Sequence, residues 1–153
     1  MKKVLILVSS FAAIYFLAQF GWQQYHTPVA FVKRLTGLDI PSNATTVSYM
    51  DDYSLLLTSG ITCGELAVSQ QDLPDLLQQA REAHFQSNLE SGQDNLLAGI
   101  QQASCCRDTS VRFGQTPGMY KTLREDAKES SYVVIDSLHR KIHFFQSIPN
   151  AIW

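Results

Sequence analysis

The chain begins with an unbroken apolar run. Residues Val4 to Trp22 carry fifteen apolar side chains in nineteen and no charge. Wound as a helix at ~1.5 Å per residue they span about 28 Å, close to the ~30 Å hydrocarbon core of a bilayer. The candidate membrane-embedded residues are Val4, Leu5, Ile6, Leu7, Phe11, Ile14, Phe16, Leu17, Phe20 and Trp22. Trp22 and Tyr25 then fall at the far interface, where amphipathic rings settle, and Lys2 and Lys3 favour a cytoplasmic N-terminus. A cleaved signal has a shorter apolar core of ~7–15 residues followed by a small-x-small site, and Gln19 to Gln24 offer no such site. The pattern therefore predicts a signal-anchor over residues 1–26. The remainder would lie outside the cytoplasm, on the periplasmic side. Secretion after cleavage is the alternative.

Beyond the run the pattern changes to short amphipathic pieces. Thr27-Pro28 supplies an N-cap and a first-turn proline, Val29, Phe31, Val32 and Leu35 an apolar face, and Gly37 a C-terminal stop. This predicts a stem helix over about 28–36 within a 27–41 linker, ahead of an extracytoplasmic domain over 42–153. Residues 45–68 read as strands near 45–50, 53–58 and 62–68, separated by Asp51-Asp52 and Ser59-Gly60, and fold most simply as a three-strand meander. In the last of these, Gly64, Leu66 and Val68 share one face and Cys63, Glu65 and Ala67 the other.

Leu73, Leu76, Leu77 and Ala80 recur at the spacing of one buried helical stripe, predicting a helix over about 72–86 capped by Ser69 or Asp72. Residues 87–130 show no sustained period and read as surface excursions. Strands at 131–136 and 141–146 flank the turn Ser137 to Arg140. The first of them is apolar on both faces, which fits a central position. The expected fold class is α+β: an antiparallel sheet of about five strands, one main helix on one face, and a transmembrane helix before it.

Composition sharpens this only after the first segment is set aside. The 153 residues are 45% apolar and 17% charged, with net charge −2. Removing Lys2 and Lys3 with the apolar run leaves an ordinary, mildly acidic domain of net charge −4. Nothing in that balance suits nucleic acid.

The chemistry-bearing residues are few. Cys63, Cys105 and Cys106 are the disulfide candidates, since bridges persist in an oxidising compartment. Joining Cys63 to Cys105 or Cys106 would close a loop of about forty residues, worth roughly 3–4 kcal/mol. Bridging the adjacent pair is sterically awkward. The catalytic alternative is a thiol nucleophile beside His84, His139 or His143, although no cysteine-hydrolase or Cys-x-x-Cys pattern is present.

His139 and His143 stand four apart but in and after a hairpin turn, so they read as solvated or core-edge histidines and not as metal ligands. Asp51-Asp52 lacks the alternating ligands of a calcium loop. The sparse glycines do not make a phosphate loop, and there is no nucleophile elbow. No catalytic residue, metal or cofactor is assigned.

The Lys-Lys-led apolar segment, Leu35-Thr36-Gly37-Leu38-Asp39-Ile40-Pro41, the Leu73–Ala80 helix and the closing Val133-Val134-Ile135-Asp136 strand together resemble a loose group of small, uncharacterised bacterial envelope proteins. The resemblance implies an envelope location and no activity. The functional expectation is a membrane-tethered domain that binds or modulates another envelope protein, in the manner of an inhibitor or immunity protein. The alternative is a thiol-dependent envelope enzyme.

Overall fold

The structure, a computed structural model, describes residues 27–52, 59–87, 118–126 and 129–148. The N-terminal run, the proposed strand at 53–58, and Cys105 and Cys106 lie outside the described residues. No helix among the described residues is long and apolar enough to cross a membrane.

Helix α1, Pro28–Thr36, starts and stops where its sequence dictates. The Thr27 hydroxyl accepts from the Ala30 N–H at 3.2 Å, satisfying one of the unpaired donors of the first turn. Gly37 closes the helix in the left-handed region at φ 76°, its N–H donating to the Lys33 carbonyl. α1 is not a free stem, because Phe31 and Val32, with Leu38 and Ile40 after them, are buried in the core. Helix α2, Leu73–Glu82, follows Asp72, whose N–H and carboxylate both bond the Ser69 hydroxyl. Its stripe behaves as the spacing requires: Leu76 and Ala80 are fully buried, and Leu73 and Leu77 pack at the margin.

Five strands form one antiparallel sheet: β1 Thr45–Asp51, β2 Gly60–Ala67, β3 Gly118–Asp126, β4 Glu129–Asp136 and β5 Lys141–Ile148. The spatial order is β1-β2-β5-β4-β3. The architecture is therefore α+β, as expected, with two corrections. Two helices, not one, contribute to the apolar core. The strand set also differs, because β1 pairs directly with β2, from Thr45↔Ala67 to Asp51↔Thr62, so no third strand separates them. Asp51 belongs to β1, where its carboxylate accepts from the Thr62 hydroxyl at 2.9 Å.

The fifth strand is β3, in a stretch read from sequence as irregular. Its alternation is short and broken by a register shift between Thr122 and Arg124; such a bulge advances one strand by a residue and erases the period. β3 is edged by an isolated bridge from Gln86 to Tyr120, which brings the end of the α2 segment alongside it.

The two faces of the sheet differ in kind. Leu66, Ile142, Phe144, Val133, Ile135 and Met119 join Phe31, Val32, Leu76, Ala80 and Phe85 in one apolar cluster. Phe144 touches Phe31 and Tyr49 at ring-centroid distances of 5.4 and 6.2 Å. The opposite face carries Cys63, Glu65, His143, Phe145, Tyr132, Val134 and Tyr120, all buried and none in that cluster. The β4–β5 turn, Ser137 to Arg140, forms where predicted and is closed by Arg140 at φ 57°.

Candidate functional site

Strand pairing places the ionisable groups of the second face together. Glu65 on β2 lies opposite His143 on β5, and Ala67 opposite Lys141. Residues two apart on a strand point the same way, so Glu65, Lys141 and His143 converge although 76 residues separate the first two. The Lys141 ammonium donates to Glu65 Oε2 at 3.0 Å. His143 Nδ1 stands 3.4 Å from Glu65 Oε1.

His143 is 2% exposed, and neither of its ring nitrogens has a hydrogen-bond partner. The expectation of a solvated or core-edge histidine is thereby corrected. β5 sits between β2 and β4, so a residue near its middle is enclosed on both flanks.

The facing imidazole is the largest influence lowering the Glu65 carboxyl. Burial opposes it, the Lys141 ammonium reinforces it, and the balance brings the carboxyl from 4.5 down to about 2. Of the two contacts, the Lys141 one has hydrogen-bond length at 3.0 Å, and the histidine one is longer at 3.4 Å. Glu65 is thus a buried carboxylate held ionised by the facing imidazole first and by the Lys141 ammonium second.

A second carboxylate closes the neighbouring turn. Asp136 is completely buried, and its Oδ1 accepts from the N–H groups of Leu138 and His139, both at 2.9 Å. Its Oδ2 meets His139 Nδ1 at 2.6 Å. This is local side-chain-to-backbone bonding of the kind that fixes turns.

Of the residues singled out from sequence, the structure places Cys63 at the centre of the second face, fully buried and opposite both Met50 and Phe145. His139 and His143 go to different tasks: one serves the turn and the other faces Glu65. Among the described residues no group of three or more potential ligands is arranged to hold a metal ion.

Glu65 and Lys141 were not singled out as site residues. The available signal was two ionisable residues, Glu65 and His143, each between apolar or small neighbours within a strand. It marks them as buried polar positions but not as neighbours. No protein-family model, curated protein or solved structure matches the chain.

Proposed function

We propose that this chain is a membrane-tethered, extracytoplasmic binding domain that modulates another protein of the cell envelope. One observation carries the non-catalytic part of the reading. The two buried carboxylates among the described residues are committed to the fold's own architecture, Glu65 joining β2 to β5 through Lys141 and Asp136 holding the β4–β5 turn. The tether rests on the length and charge-free composition of residues 4–22. A thiol mechanism through Cys63 is disfavoured, because a reactive thiol needs partial exposure and Cys63 is 0% exposed.

A bridge from Cys63 to Cys105 or Cys106 belongs to the same proposal. It is supported by the complete burial of Cys63 and by its being a partnered residue. Peptide mapping of the non-reduced protein should recover Cys63 linked to one of the other two cysteines. A Cys63 that alkylates without reduction would overturn this part.

The functional reading is tested in cells with the full chain carrying a photo-crosslinking residue at Val47 or Leu138, the exposed large apolar positions of the described domain. A discrete crosslinked envelope protein is expected. Crosslinks no more specific than those of an unrelated tethered domain would refute it. N-terminal sequencing of the membrane fraction tests the tether separately, and a mature start between residues 19 and 30 would refute it.

A further inference from the structure

We draw no further inference here: the strongest candidate, the buried sheet face opposite the helices with the unpartnered His143 imidazole beside the Glu65–Lys141 pair, carries nothing because no described residue shows what covers that face.

Discussion

Lys141 and Glu65 meet at 3.0 Å diagonally across β5 and β2, joining strands that are remote in sequence and adjacent in space. The two ends of the contact differ in exposure, the Glu65 side chain being 8% and the Lys141 side chain 32% exposed. Removing the ammonium leaves a buried charge beside an imidazole. Removing the carboxylate lets the ammonium turn toward solvent. The ionisation of the carboxylate is coupled to folding through its lowered value.

Glu65 should make the domain acid-sensitive in a defined window. Its carboxyl lies at about 2 in the folded chain against an ordinary 4.5. A depressed folded-state value stabilises above the unfolded value and is lost as pH falls through the folded one. The melting temperature of the wild type should accordingly drop as pH is lowered from 4.5 toward 2. Glu65→Gln should be less stable at neutral pH by about 1–3 kcal/mol and show a shallower acid slope. Parallel slopes for the two proteins would show that Glu65 is not the group responsible.

Tyr49 supplies the alkaline counterpart. Burial first, and then the charge and hydrogen bond of Asp51, push its hydroxyl up to about 12. A raised value on a group that is neutral when protonated gives stability that is full below pH 10 and is lost as pH rises toward 12. Tyr49→Phe should unfold less steeply over that interval, as followed by far-ultraviolet circular dichroism. An unchanged alkaline profile would contradict the assignment.

The β4–β5 turn should depend on the Asp136 acceptor more than on the His139 imidazole. Asp136→Ala removes the partner of two backbone N–H groups and should cost about 2 kcal/mol. Asp136→Asn retains one acceptor oxygen and should cost less. His139→Ala, at a residue whose side chain is 41% exposed, should cost under about 1 kcal/mol. Urea unfolding midpoints falling in the order His139→Ala, Asp136→Asn, Asp136→Ala are expected. A reversed order would mean that the imidazole holds the turn.

Gly64 should resist even a methyl group. A Cβ there would meet the backbone carbonyl of Ser48, and the Phe144 ring at 2.8 Å. Gly64→Ala should destabilise by about 1–3 kcal/mol through overpacking, and trimming Phe144 to Leu in the same chain should not rescue it, because the Ser48 contact is with backbone. Gly37→Ala makes a useful contrast: its Cβ would touch nothing within 4 Å, so its cost, about 1 kcal/mol, comes from the left-handed φ alone. Thermal unfolding of the three variants checks the ordering, and full rescue by Phe144→Leu would place the obstruction in the ring and not in the backbone.

What could be read in the chain was whatever depends on near neighbours. Thr27, Pro28 and Gly37 mark the ends of α1 because caps act within a turn. Leu73, Leu76, Leu77 and Ala80 expose the buried stripe of α2 because helical period is local. The split of β2 into a Leu66 face and a Cys63–Glu65 face follows from alternation alone.

What could not be read depends on contacts between distant segments. Alternation fixes the face of a side chain and leaves the neighbouring strand undecided. The adjacency of β2 and β5, and with it the Glu65–Lys141 pair and the enclosure of His143, emerged only once the sheet was assembled. β3 escaped because its bulge breaks the one signal a strand carries. The amino-acid sequence by itself determined the α+β class, both helices, the closing hairpin and the charge-free, mostly apolar run at residues 4–22. The tertiary structure decided strand order, the joining of α1 to the core, and which buried polar groups meet. Those choices rest on pairing energies between segments tens of residues apart, and no local pattern encodes them.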